Sequence, residues 1–469
     1  MDKRRVWESI DRNAETLEKM AGDIWERPEL PLEEKYASQL QAEALKKAGM
    51  RVTLGIGDMP TALIAEYGSG KPVVGILGEY DALSGLSQAA QPQRRPLVEG
   101  GPGHGCGHNL LGTAGLGAAL AVKEALDRDE LSGTVRYYGC PAEEELIGKI
   151  FMLRDGCFDD CDAVLYWHPS SNNAPWRVPC LAATSAVFKF KGVTAHAPQA
   201  HLGRSALDAV ELMNVGANYL REHLARDIYM HYSIPGNGIA PNTVPDKCQV
   251  WYHMRAPQRS RLDEAFERLK EVARGASIMT GTTLEEVEIL GGGNEVIPNQ
   301  KLADALVRNM NESGGPAFTE EDYELGRRLT ALFGPGEKVQ GAKAFSIPPE
   351  DVDLILQHKV LPIAGTLNDI MPASGDFDVS WRVPFGAFNC ATWPIGVFTH
   401  TWQATACAGS SVGMHGMLFA AKTLAGTICD LMTDRELLKE VHAEFQESTK
   451  DLTYKFNIAS DAVPHRMKL

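Results

Sequence analysis

The sequence predicts an α/β protein: a larger unit on a mostly parallel sheet with flanking helices, interrupted by a smaller α+β unit. Three observations carry this. The apolar runs "PVVGILGEYDAL" (72–83), "GTVRYYGCPAEEE" (133–145) and "DAVLYWHPS" (162–170) have the length and composition of buried strands. They alternate with helical stretches, as a parallel sheet requires. From residue 185 the pattern changes to half-exposed strands and amphipathic helices, then changes back.

In chain order, residues 1–50 read as two helices, the second ending near Gly49. The strand at 72–83 leads into "SGLSQAAQPQRRPLVEGGPG" (84–103), a loop by its Pro, Gly and Gln content. A helix over 110–127 follows, with "GTAGLGAALAVKEAL" its buried part, then the strands at 133–145 and 162–170. "SAVFKFKGVTAH" (185–196) alternates apolar and polar residues, as a half-exposed strand does. The helix 205–224, strand 247–257, helix 261–281 and strand 282–294 complete a small α+β unit. "GGGNEVIPN" is a return linker. The boundaries are therefore 1–184 and 299–469 for the larger unit and 185–298 for the insertion. "GMHGMLFAAKTLAGTICDLM" (413–432) is an apolar helix, and 433–469 a charged helix with an irregular end.

The bulk numbers exclude several functions. The chain has 469 residues, enough for two or three domains and a large core. With 46 basic and 61 acidic side chains its net charge is −15, the wrong sign for neutralising nucleic-acid phosphates. The charged N-terminus lacks the pattern of a signal peptide, and no stretch reaches the roughly 20 apolar residues of a membrane helix. Nine scattered cysteines argue against a disulfide framework and for a reducing, cytoplasmic setting.

The chemistry concentrates at strand ends, where open α/β sheets bind ligands. "GHGCGHN" (103–109) places Cys106 and His108 in a glycine-rich loop, and thiolate and imidazole are preferred zinc ligands. "PAEEE" follows a strand. Its Glu143 and Glu144 fit the acidic start of a helix, or a division of labour in which one carboxylate holds a metal and the other moves a proton. Asp81 and His168 also fall at strand ends. By themselves, His168 reads as a core histidine and His415 in "GMHG" as a turn residue.

Together "GEYDALSG", "GHGCGHN", "CPAEEE", "WHP", "TAHAP", "APNTVP…HMR" and "GMHG" occur in the order and spacing of the zinc aminoacylase/carboxypeptidase metallopeptidases. The chain resembles the amidohydrolase branch of that family over essentially its whole length. The loop before the metal motif, "GHGCGHNLLGT" and "DVSW" (378–381) resemble the forms that split p-aminobenzoyl-glutamate. The resemblance implies a metal-dependent hydrolase of the amide bond of an N-acyl or N-aroyl amino acid. A rival reading, a non-catalytic zinc-binding scaffold, has no use for Glu143 beside Glu144. The resemblance also implies that the insertion is a lid that dimerises. It implies two divalent ions, zinc or manganese, on Cys106, His108, Glu144, His168 and His415. Glu143 would be the general base. Asp81 would orient a ligand, a role that fixes tautomer and basicity. His196 would reach the cleft of the partner chain and stabilise the oxyanion, and Asn242 and Arg255 would hold the carbonyl and carboxylate of the substrate. The expected partners are a small molecule with a free carboxylate and a second chain, identical or related, with no nucleic acid or membrane. Three residues depart from the family pattern: Glu79 where many relatives have histidine, Asn109 where the branch often has aspartate, and His253 where an acidic residue is common.

Overall fold

The computed structural model describes residues 2–235, 240–363, 371 and 375–465. The N-terminus forms three helices, α1 (Arg4–Arg12), α2 (Ala14–Glu26) and α3 (Lys35–Lys47), where the sequence predicts two. Asn13 makes the difference: its side chain donates to the Ser9 carbonyl at 2.8 Å and its backbone leaves the helical region. An asparagine that bonds the preceding turn competes with helix continuation.

Six strands of the first sheet follow: β1 (Arg51–Leu54), β2 (Leu63–Ser69), β3 (Val73–Glu79), β4 (Gly133–Cys140), β5 (Ala163–Ser170) and β6 (Ala174–Pro175). The insertion supplies β7 (Ala182–Lys191), β8 (Ala195–His196), β9 (Tyr229–Ser233), β10 (Thr243–Val244), β11 (Lys247–Ala256) and β12 (Thr283–Gly293). β13 (Phe385–Ala391) returns to the first sheet, whose order is β1-β2-β4-β3-β5-β13-β6. Within it β4, β3, β5 and β13 are parallel, and β1, β2 and β6 join as antiparallel neighbours. The sheet is therefore mixed, with a parallel centre. β3 and β13 are buried along their whole length, as the central strands of a parallel sheet are.

α4 (His108–Asp127) packs on this sheet, and α5 (Gly148–Arg154) follows β4. The insertion folds as an antiparallel sheet, β12-β7-β11-β9, with α6 (Ala206–Arg221) and α7 (Arg259–Thr280) packed on it. β11 alternates buried and half-buried residues, and its buried set Cys248, Val250, Tyr252, Met254 and Ala256 joins α6 and α7 in a core separate from that of the large sheet. Residues 299–412, which carry no clear periodic pattern in the sequence, contain α8 (Gln300–Ser313), α9 (Glu320–Thr330), α10 (Pro335–Ala344), β13 and α11 (Trp402–Ala408). α12 (Ser411–Thr433) packs against α4 and α8, and α13 (Arg435–Thr449) completes the chain's helices among the described residues.

Candidate active site

The four parallel strands deliver their carboxyl ends to one edge of the sheet. Glu79 ends β3 and Asp81 stands just beyond it. Glu143 and Glu144 lie in the single turn after β4, His168 near the end of β5, and the segment carrying His400 follows β13. The metal-motif loop closes over this edge. Gly103 carries no side chain because a Cβ there would strike the Leu86 backbone. Gly107, with φ +77°, sits in the left-handed region that favours glycine and lets His108 open the 20-residue helix α4.

The structure brings Cys106, His108 and His168 into one group and Cys106, Glu144 and His400 into a second; within each, the candidate ligand atoms lie within 4.8 Å of one another. Cys106 Sγ is 3.4 Å from His168 Nε2, and His400 Nε2 is 3.2 Å from Glu144 Oε2. Cys106 belongs to both groups, so it is placed to bridge two ions. The donor set of thiolate, imidazole and carboxylate suits zinc or another first-row divalent ion. Two buried atoms in it, His108 Nε2 and Glu144 Oε1, have no hydrogen-bond partner, as expected of atoms kept for an ion.

Asp81 aligns both groups. Its Oδ1 accepts from His108 Nδ1 at 2.8 Å, which fixes Nε2 as the free ring nitrogen, and its Oδ2 accepts from the Glu144 backbone N–H at 3.0 Å. The Glu143–Glu145 turn is also held from behind. Ala142 adopts φ +55°, and its N–H donates to the buried Glu34 carboxylate at 2.9 Å. Glu143 Oε2 lies 3.8 Å from His108 Nε2.

The electrostatics separate the adjacent glutamates. Burial, and then the Glu79 charge, hold the Glu143 carboxyl well above the usual carboxylate range, toward that of a working base. Burial also raises Glu144, but His400, His108 and His168 overcome it and bring it to about 2. Burial and Glu144 push the Cys106 thiol up, and His168 and His108 pull it down further, to about 6. Glu144 lifts His400 to about 11.

His415 is not part of this cluster. It lies in the first turns of α12, and its Nδ1 is 2.7 Å from Asp322 Oδ2 on α9. Asp322 also accepts from the Ser411 hydroxyl and the Thr319 backbone, so the pair ties α12 to α9. The fifth candidate ligand is His400. Its backbone N–H donates to the Gly105 carbonyl at 2.9 Å, which fastens it to the metal-motif loop, and its φ is +61°. Strained backbone of this kind clusters at functional sites. The sequence holds one signal for His400: it follows the end of a parallel strand, as the other ligands do. Finding it requires recognising β13 first.

The lid candidates fall in two places. His196 and Asn242 meet on an exposed two-stranded ribbon, where β8 pairs with β10 and the Ala197 N–H donates to the Asn242 carbonyl at 3.0 Å. Arg255 is on β11. Burial pulls its guanidinium pKa down and the Glu143 charge opposes this, so the two groups sense each other across the lid boundary. Asn109 is structural: its amide donates to the carbonyls of Ala21 and Ala408 and ties α4 to α2 and α11. Among the described residues no helix is long and apolar enough to cross a membrane.

A parallel-centred sheet with a cysteine-bridged ligand cluster at its carboxyl edge, and an α+β insertion over it, defines a metallohydrolase of the M20 peptidase class, and the chain belongs to that family. Residues 182–278 match the model of the peptidase dimerisation domain. Over an alignment of 479 residues the chain is 37% identical to one of the two kinds of chain of the p-aminobenzoyl-glutamate hydrolase of Escherichia coli (strain K12), covering 99% of each. It is 29% identical over 464 residues to the human Xaa-Arg dipeptidase, covering 95% of this chain and 92% of that one. Among solved structures, a dinuclear metal-binding peptidase of the M20 family from Bacillus subtilis superposes with a TM-score of 0.56 at 18% identity, covering 90% of this chain and 99% of that one.

Proposed function

We propose that the protein hydrolyses the amide bond of an N-acyl or N-aroyl amino acid with a free carboxylate, p-aminobenzoyl-glutamate being the first candidate. The observation that carries this is the pair of ligand groups sharing Cys106, with the raised Glu143 carboxylate beside them. Two divalent ions, zinc or manganese, would be held by Cys106, His108 and His168 and by Cys106, Glu144 and His400, and would supply Lewis acidity toward the amide carbonyl and water.

Glu143 takes a proton from the attacking water and returns it to the leaving amine nitrogen. Asp81 keeps His108 and Glu144 in place through its two hydrogen bonds. Arg255 suits the substrate carboxylate because its planar fork binds carboxylate in a bidentate way; Asn242 holds the carbonyl. His196, exposed on the lid ribbon, serves the cleft of a second chain and donates to the developing oxyanion, a contribution of about 3–4 kcal/mol per donor in comparable sites. The second chain is another copy of this one or a related one, and the cytoplasm is the expected setting.

The test is a panel of N-aroyl amino acids, N-acyl amino acids and dipeptides, each as free acid and methyl ester, assayed with metal-loaded protein. p-Aminobenzoyl-glutamate is expected to release p-aminobenzoate and glutamate, and its α-ester to lose most of kcat/KM. Equal rates on acid and ester would remove Arg255 from its role. Preference for dipeptides would move the substrate to the class the human relative's name describes.

A further inference from the structure

Glu79 carries a second feature of the site. Its Oε1 accepts from Lys149 Nζ at 2.7 Å, while Oε2 accepts from the Tyr166 hydroxyl at 3.2 Å and lies 3.3 Å from His108 Nε2. Lys149 has a second carboxylate, Asp376, whose Oδ1 is 2.6 Å from Nζ and whose Oδ2 accepts the Lys149 backbone N–H at 2.6 Å. Glu79, Lys149 and Asp376 all have zero solvent exposure. Buried ion pairs are a poor source of stability, because desolvation offsets their attraction. A row of three full charges therefore calls for a purpose beyond holding the fold.

The direction of the row indicates one. Asp81 occupies His108 Nδ1, so Nε2 is the ligating atom, and the Glu79 carboxylate faces that atom while Lys149 and Tyr166 hold it from other sides. Atoms bound to one tetrahedral ion at about 2.0–2.3 Å stand about 3.3–3.7 Å apart. The Glu79–His108 separation of 3.3 Å and the Cys106–His168 separation of 3.4 Å both have that spacing. Glu79, His108 and Glu143 also form a ligand-competent group of their own.

We propose that Glu79 is an oxygen ligand of the ion held by Cys106, His108 and His168, presented by the Lys149–Asp376 pair. The proposal rests on the metal-dependent reading above. It balances charge: one thiolate and one carboxylate with two neutral imidazoles match a divalent ion, while Lys149 and Asp376 cancel each other. It also sets metal choice. A hard oxygen ligand in a thiolate–imidazole set moves preference toward manganese and away from ions that favour sulfur. Lys149 is a positioning residue in this scheme.

The experiment titrates chelator-stripped protein with Mn²⁺ and Zn²⁺ by calorimetry and follows Co²⁺ by its visible absorption. Glu79→Gln is expected to weaken one of two sites by at least about tenfold, more for Mn²⁺ than for Zn²⁺, and to shift the Co²⁺ band. Lys149→Met should produce the same changes to a smaller degree, and Glu79→Asp should recover part of the affinity. If Glu79→Gln fails to fold, Glu79→Gln with Lys149→Met and Asp376→Asn, which leaves no buried charge unpaired, carries the same expectation. Wild-type affinities and an unchanged Co²⁺ band in a folded variant would overturn the proposal and leave the functional reading intact. Failure of the wild-type protein to bind any ion would overturn both.

Discussion

Asp81→Asn changes one atom and should cost the protein much of its metal affinity. Both Asp81 oxygens are acceptors, one for His108 Nδ1–H at 2.8 Å and the other for the Glu144 N–H at 3.0 Å. Asparagine offers one acceptor and one donor. Whichever way the amide turns, an N–H faces an N–H on one of the two ligand-bearing residues. Asp81 is almost fully buried, so water does not repair the contact. Leaving a buried donor unpaired costs about 1–3 kcal/mol. At about 1.4 kcal/mol per decade this is roughly 5- to 150-fold in affinity if the misalignment falls on the ion-binding conformation. The range overlaps the roughly 10- to 100-fold losses usual when the residue behind a metal-ligating histidine is changed. Calorimetric titration of stripped protein with Zn²⁺ or Mn²⁺ measures it, with circular dichroism to establish that the variant is folded. A folded Asp81→Asn protein with affinity within twofold of wild type would refute the argument that Asp81 holds the ligand set.

Glu143→Gln should retain metal and lose about two to four orders of magnitude in kcat, while Glu144→Gln should lose metal as well; equal metal retention and equal rate loss would erase the distinction between them. His400→Ala should weaken metal binding and His415→Ala should not, read by elemental analysis after dialysis; the reverse would restore His415 as a ligand. The His415–Asp322 pair should give a pH-dependent stability increment, measured as the difference in melting temperature between wild type and Asp322→Asn. Asp322 is held down at about 2, so its share is present above the ordinary value of 3.8 and is lost as pH falls toward 2; His415 is raised, so its share is full below about 6.5 and is lost as pH climbs through its elevated pKa. A difference that does not diminish on either side of that window would contradict the pairing. His196→Ala and Glu143→Gln chains, each nearly inactive alone, should on chain exchange recover about a quarter of wild-type activity, one good cleft in two across half the dimers; no recovery in a mixture shown by mass to hold heterodimers would confine His196 to its own chain.

How much of the site is legible in the sequence depends on how local each signal is. Cys106 and His108 are two residues apart in a glycine-rich loop, and Glu143 and Glu144 are adjacent, so short-range pattern finds them. His168 is readable through the apolar strand that carries it. His400 is not, because β13 is a seven-residue run of small and aromatic residues, "FGAFNCA", whose strand character comes from lying beside β5 rather than from its own composition. "GMHG" has the look of a ligand turn, yet His415 belongs to a long helix and is spoken for by an aspartate 93 positions away. The buried row of Glu79, Lys149 and Asp376 is equally out of reach, since Lys149 and Asp376 are 227 positions apart and a lysine in "IGKIF" ordinarily faces water. The parallel centre of the large sheet is legible from alternation; the antiparallel strands β1 and β2 are not, being short and in large part exposed or half exposed.

The separate core of the inserted sheet has a further consequence. Phe188, Phe190, Met213, Val250, Leu262 and Leu269 satisfy one another within the insertion and borrow nothing from the core beneath the metal ligands. Substitutions on the lid's outer and cleft-facing surfaces therefore do not draw on the packing that aligns the metal cluster. Across a lineage, residues around Arg255 can be exchanged and new acyl groups tried while the hydrolytic machinery stays fixed. Such an arrangement lets one catalytic apparatus serve many amide-linked conjugates, with selection acting on the insertion alone.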